Sequence, residues 1–156
     1  MNTPWYKDIK HSELPKYVTQ QGVEVTVIAG ESNGVKGSVT RDITQPYYLD
    51  IHMPGGTEFE QTLPPAHNAF IYVYRGEVNV AGKAVPAQRM GIFDNELQND
   101  GVIIQANEDA KFILIAGQPL KEPIVQYGPF VMNSQQEIQE ALSDYRQGRF
   151  GESRPD

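Results

Sequence analysis

Apolar residues alternate with polar ones along much of this chain, and where the alternation stops they run together in short blocks. Val23, Val25, Val27 and Ala29 fall on one face of an extended segment, the period of a strand. Tyr47–Met53 repeats the pattern, with Leu49, Ile51 and Met53 on one side and Tyr48, Asp50 and His52 on the other; Pro54-Gly55-Gly56 ends it. Phe70, Ile71, Tyr72, Val73 and Tyr74 form an unbroken β-branched and aromatic run, broken at Arg75-Gly76-Glu77 and resumed at Val78 to Val80. A second break at Ala81-Gly82-Lys83 returns the chain through Ala84 and Val85. Strand, tight turn, strand is the expected reading, so the centre is predicted to be an antiparallel meander. Residues 90–93, 102–106 and 112–116 are three more apolar runs, separated by turn signals such as Asp94-Asn95 and Asn99-Asp100-Gly101. Short strands with no helices between them point to a β-sandwich or small β-barrel rather than a parallel α/β sheet.

One helix is predicted, over residues 134–147. Ser134 and Glu137 have the spacing of a capping box, and Ile138, Ala141, Leu142 and Tyr145 recur at helical intervals to give one apolar face. Gly148 stops the helix, with Arg146 near the negative end of its dipole. A helix of about a dozen residues is marginal alone, so it is expected to dock on a sheet. Residues 1–22 read as an extended lead-in, with Pro4 and Pro15 limiting helix and Trp5 and Tyr6 as apolar anchors. Residues 151–156 read as a flexible tail, and 1–150 as a single domain.

Composition narrows the function classes. At 156 residues the chain is one domain of ordinary size, able to bury about 70% of its unfolded surface. It has no cysteine, which removes disulfides, thiolate catalysis and cysteine-based metal sites and is compatible with a cytoplasmic setting. The net charge of −7 and the scatter of its 13 basic residues, with Arg146, Arg149 and Arg154 the nearest thing to a patch, argue against direct nucleic-acid binding. No apolar core of a signal peptide opens the chain, and no run is long enough to span a membrane.

Longer motifs carry a resemblance. Residues 118–151, QPLKEPIVQYGPFVMNSQQEIQEALSDYRQGRFG, closely resemble the end of the pirin family, with its Pro-Leu…Glu-Pro…Tyr-Gly-Pro-Phe-Val-Met-Asn signature followed by a helix and Gly-Arg-Phe-Gly. PPAHNAFIYVYRGEV is similar to the hairpin of the pirin C-terminal half, and PWYKDIKHSELP…VEVTVIAGESNG to the passage between the halves. The resemblance implies an all-β, cupin-type double-stranded β-helix, or jelly-roll barrel, with one short C-terminal α-helix. Pirins are two such cupins packed together; some are described as iron-containing nuclear coregulators of transcription, some bacterial ones as quercetin 2,3-dioxygenases. In the family the metal and the oxygenase chemistry belong to the N-terminal half, and this chain resembles the other.

A cupin metal site takes two histidines one residue apart, a nearby glutamate and a histidine on a later strand. With Gly76 as the glycine that closes the first cupin motif, the His-x-His positions fall at Thr62 and Pro64 and the glutamate position at Asn68. No histidine follows His67. No catalytic residue and no cofactor is therefore expected; iron or another divalent transition metal is the alternative. Weaker metal candidates are His52, Glu58, Glu60 and His67, which approach each other if strand 47–53 pairs with 67–74; Glu58 and Glu60, after a Gly-rich turn, read more readily as solvated. His67 and Asn68 are candidate ligand-binding residues at the barrel mouth, against a simpler reading as turn caps; Tyr72 and Tyr74, with Phe70, are candidates to line a ligand cavity, against a simpler reading as core.

The expected function is a metal-free, non-catalytic binding module. Partner expectations are self-association as a homodimer or pairing with a separate pirin N-terminal half, because a lone half leaves a packing face in water. A quercetin 2,3-dioxygenase-type oxygenase and a small apolar-ligand binder using the barrel cavity are the alternatives.

Overall fold

The computed structural model describes residues 6–94, 96 and 98–149. Pro4, Trp5, Asn95, Arg154 and the tail 151–156 of the sequence reading lie outside the described residues. The described residues divide into two compact units, residues 8–119 and a smaller one of residues 120–149 with Tyr6 and Lys7.

The larger unit carries twelve strands after a short 3-10 turn at His11–Glu13. They are β1 (Lys16–Val18), β2 (Glu24–Ala29), β3 (Glu31–Ser32), β4 (Val35–Lys36), β5 (Tyr47–Met53) and β6 (Thr57–Thr62), then β7 (Asn68–Arg75), β8 (Glu77–Val80), β9 (Lys83–Pro86), β10 (Arg89–Ile92), β11 (Gly101–Ala106) and β12 (Ala110–Gly117). Six of them form one antiparallel sheet in the order β1-β2-β5-β12-β7-β10, and four form a second in the order β6-β11-β8-β9; β3 and β4 are a separate small hairpin. The two sheets are those of the jelly-roll architecture that the cupin resemblance implies.

Strand alternation builds the core. Val25 and Val27, Leu49, Ile51 and Met53, Ile71 and Val73, and Phe112 and Leu114 turn inward from the large sheet; Phe59, Val78, Val102 and Ile104 do so from the small one. Removing these side chains from water is the main stabilising term, at about 25 cal/mol per Å² of apolar area.

Two pairings differ from the sequence expectation. The predicted central meander is split: β7 pairs with β12 and β10, whereas β8 pairs with β9 and β11. Gly76, at φ +70, passes the chain from one sheet to the other, and a Cβ there would run into the Asp109 carbonyl oxygen. Only glycine takes that angle in that space. The Ala81-Gly82 turn between β8 and β9 is a true hairpin, with both residues at positive φ. Strand 47–53 is likewise separated from β7, because β12 lies between them. The segment after Gly55-Gly56, read as a solvated turn, is the strand β6, in which Phe59 and Gln61 are buried and Glu58 and Glu60 exposed.

The smaller unit contains the hairpin β13 (Val125–Tyr127) and β14 (Phe130–Met132) and the helix α1 (Gln135–Arg146). Ser134 caps the helix, accepting from the Glu137 N–H at 3.2 Å, and the Glu137 carboxylate reaches back to the Asn133 N–H at 3.0 Å. The apolar face buries Ile138 and Ala141, and Tyr145 meets the Phe130 ring edge-on at 6.4 Å. The docking expected of this helix is on its own hairpin. No helix among the described residues is long and apolar enough to cross a membrane.

Candidate functional site

Alternation along β6 decides what the interior offers chemically. Phe59, Gln61 and Leu63 face inward while Glu58, Glu60 and Thr62 face out. The positions assigned from the sequence to His-x-His are therefore one residue out of register: Thr62 is exposed and Pro64 half-buried, and the inward pair is Gln61 and Leu63. Asn68 is exposed too, and its neighbour Ala69 takes the inward place. A one-residue slip turns every side chain to the other face of a strand, so a motif register counted from one glycine is fragile.

Gln61 is the polar member of this wall, at 6% exposure, and it is fully engaged. Ser32 Oγ donates to Gln61 Oε1 at 2.6 Å, and the Tyr17 hydroxyl meets Ser32 Oγ at 2.7 Å. Gln61 Nε2 donates to the carbonyl oxygens of Thr62 (2.7 Å) and Glu31 (3.3 Å). A buried amide with every group paired fixes β6 against the β3–β4 hairpin. Apart from Thr62, these partners lie on β3 and β1, about thirty residues or more away, and form no sequence motif; the Phe59-Gln61-Leu63 alternation was the available signal for Gln61.

Outside this wall lies a cleft of about 670 Å³ that follows β6. Tyr17, Thr19, Tyr47 and the turn between β3 and β4 form its far side. Glu31, Glu58, Glu60 and Asp100 line it, and among the described residues no lysine, arginine or histidine does. Burial raises the pKa of Tyr17 against a smaller lowering by its Ser32 hydrogen bond; burial first, then the charge of Glu31, raises that of Tyr47. Both phenols are neutral at physiological pH, and the site is acidic only through its carboxylates.

His67 sits in the turn that leads into β7. Its N–H donates to the Pro64 carbonyl at 3.2 Å, closing a turn in which Ala66 holds φ +66. The ring is 7% exposed, meets Tyr47 edge-on at 6.1 Å, and has no hydrogen-bond partner for Nδ1. Burial lowers its pKa, so the imidazole is neutral.

The other candidates are elsewhere. Tyr72 and Tyr74 stand on the outer face of the large sheet, opposite the buried Ile71 and Val73, and so neither line a cavity nor join the core, the two readings the sequence offered. Tyr74 donates to Asp50 Oδ1 at 2.7 Å and accepts from His52 Nε2 at 2.9 Å; Glu24, across the strand pair from His52, is 3.9 Å from Nδ1. Burial, then the Asp50 hydrogen bond and charge, raises the Tyr74 pKa. Thus His52 belongs to an outer-face cluster, Glu58 and Glu60 to the outer side of the small sheet, and His67 to an interior turn. The four metal candidates are not brought together, and no three His, Cys, Asp or Glu side chains among the described residues gather as a metal site requires.

Comparison with known proteins supplies the lineage. Residues 48–151 match the family model described as the Pirin C-terminal cupin domain. A protein named putative quercetin 2,3-dioxygenase from Pseudomonas aeruginosa is 40% identical over 151 residues, covering 92% of this chain and 52% of that protein. Mouse pirin is 40% identical over 156 residues, covering 97% of this chain and 52% of its own length. The crystal structure of a quercetin 2,3-dioxygenase from Acinetobacter baumannii superposes with a TM-score of 0.85 at 34% identity, over 96% of this chain and 52% of that one. The chain spans about half the length of the relatives it matches.

Proposed function

This chain belongs to the pirin family, as a C-terminal cupin domain, and from that premise we propose that it works as a binding module with no metal centre of its own. The observation that carries the reading is the donor set of the interior. A transition ion in a cupin is held by several converging imidazole and carboxylate donors, with positions left open for substrate. Here Gln61 faces Val102 across the strand pair, and the buried core side chains Phe59, Leu63, Ala69, Ile71 and Ile104 likewise offer no donor atoms. Gln61 is committed to Ser32 and to two carbonyl oxygens, and His67 adds one imidazole. These residues do not fit iron or another divalent ion, and no reaction step is drawn through one.

The test is metal analysis of untagged protein after incubation with iron(II), nickel(II) or copper(II), followed by oxygen uptake with quercetin. Substoichiometric metal and no quercetin-dependent uptake are expected. Stoichiometric metal with turnover that disappears in a His52→Ala/His67→Ala double variant would sink the reading and return the oxygenase. That second reading has the names of the Pseudomonas and Acinetobacter relatives in its favour, each about twice the length of the match.

The barrel-ligand alternative has less support, since the inner faces are filled by fully buried side chains such as Phe112, Leu49, Ile51 and Leu114. Surfaces are then what the domain offers. The outer face of the large sheet leaves Met90 and Ile92 on β10 at 54% and 79% exposure, opposite Tyr72 and Phe70 on β7. Apolar area of that kind marks interaction sites. Pairing with a second cupin domain, another copy or a separate pirin N-terminal half, is the proposed use; only 17.5 kDa monomer by light scattering at micromolar concentration would count against self-pairing. The proposed setting is cytoplasmic, consistent with a chain that has no cysteine.

A further inference from the structure

The acidic cleft has a wall of a particular kind: an unpaired strand edge. β6 ends its sheet on one side and pairs only with β11. The Leu63 N–H donates to the Asp100 carbonyl at 2.8 Å, across the pair that continues the β6–β11 register. In an antiparallel ladder alternate residues use their backbone groups on one neighbour. Residues 59, 61 and 63 are thereby joined to β11, and 58, 60 and 62 turn their N–H and C=O groups to the open side. Gln21 Oε1 accepts from the Glu58 N–H at 3.0 Å, and the Thr62 carbonyl accepts from Gln61 Nε2 at 2.7 Å. The Glu60 N–H and C=O have no partner among the described residues.

Charge decides what can complete this edge. A second copy added through its own β6 would set Glu58 and Glu60 against like charges, which destabilises cross-strand pairs and is how natural edges resist self-pairing. Basic side chains reverse that sign. Glu58 is held on the outer face by Gln105 Nε2 at 2.9 Å, while the exposed Glu60 carboxylate has no hydrogen bond among the described residues. Side chains of an added strand alternate between faces. One set would stand beside Glu58 and Glu60, and the other beside the apolar parts of Phe59, Leu63, Tyr17 and Tyr47. We propose that the β6 edge docks an extended peptide in which lysine or arginine alternates with apolar or aromatic residues, added as a further strand. This deepens the binding-module reading and rests on it.

The test uses the whole chain and an acetylated, amidated hexapeptide alternating lysine with valine or tyrosine. The controls are a peptide of the same composition with its lysines clustered, and spermidine as a small cation. Glu60→Pro removes the outward N–H without touching the β11 ladder, and Glu60→Lys reverses the charge; thermal melts check that both fold. The alternating peptide is expected to bind saturably at 1:1, more weakly as salt rises, with the Glu60 amide resonance shifting most. Each variant is expected to weaken it about tenfold or more, the equivalent of roughly 1.4 kcal/mol. Absence of saturable binding, equal affinity for the clustered peptide or spermidine, or unchanged affinity in both variants overturns the proposal. Metal content measured on the same sample separates the two readings: failure with metal-free protein removes the docking site alone, whereas stoichiometric metal removes the reading beneath it.

Discussion

If Gln61 is a structural strut, as its hydrogen bonds indicate, removing it and its partner together should cost less than the two separate removals added. Ser32→Ala takes away the donor 2.6 Å from Gln61 Oε1 and leaves that oxygen in a wall only 6% exposed. Stranding a buried acceptor costs about 1–3 kcal/mol. Gln61→Leu removes the acceptor of the buried Ser32 hydroxyl, which keeps only its Tyr17 contact at 2.7 Å, and takes a donor from each of the Thr62 and Glu31 carbonyls, again about 1–3 kcal/mol. In the double variant neither side chain leaves the other unpaired, and leucine adds apolar packing beside Phe59 and Leu63. Tyr17, half-buried, loses its Ser32 contact but keeps access to water. The expected coupling is about 1–2 kcal/mol, inside the range of roughly 0.5–3 kcal/mol seen for contacting pairs. Urea unfolding of the four proteins measures it, provided the slopes agree. Additivity within about 0.3–0.5 kcal/mol would refute the reasoning, because independent sites behave that way.

Three further outcomes are expected. Gly76→Ala forces a Cβ into the Asp109 carbonyl at φ +70 and should destabilise the fold by about 2 kcal/mol or more, read as a lower urea midpoint; an unchanged midpoint contradicts the sheet-to-sheet crossing described for this residue. Burial lowers the His67 pKa, so between the folded and the ordinary imidazole value the unfolded chain binds more protons; the stabilising contribution of its neutral form is present above the unfolded pKa and is lost as pH falls through the folded one. The acid slope of stability below about pH 6.5 should therefore flatten in His67→Gln, and identical slopes would show that another group causes it. Ser134→Ala removes the cap of α1 and should cost about 0.5–2 kcal/mol, seen as increased amide exchange in the first turn, with no effect on amides of residues 57–62.

Much of this fold was written in periodicity. The strands at 24–29, 47–53, 101–106 and 110–117 and the capped helix lie within a residue or two of their apolar patterns, because each buries one face and shows the other to water. What the pattern could not carry was partnership. Residues 70–80 look like a hairpin from local signals, since a glycine turn between two β-branched runs is the usual hairpin signal. Whether the second run pairs with the first or crosses to another sheet depends on what occupies the first run's edges, and both edges of β7 are taken, by β12 and β10. That information lies about twenty to forty residues further along the chain. β6 was hidden for a different reason: TEFEQT places one aromatic among five polar residues, and only the burial of Gln61 makes its alternation complete.

The same strand shows that the proposed metal-free reading does not hang on the register from which it was first drawn. Counting back from Gly76 selected Thr62, Pro64 and Asn68; the strand turns Gln61, Leu63 and Ala69 inward instead. Neither set contains an imidazole or a carboxylate, so a slip of one residue exchanges one group lacking such donors for another. The slip does change the role of the glutamates. From the sequence Glu58 and Glu60 were weak metal candidates that read more readily as solvated; on β6 they are exposed, alternate with Phe59 and Gln61, and give the open edge its charge. A carboxylate that cannot turn inward cannot serve an ion inside the sandwich. On an edge, at two-residue spacing, two of them favour a basic strand as the neighbour proposed for β6.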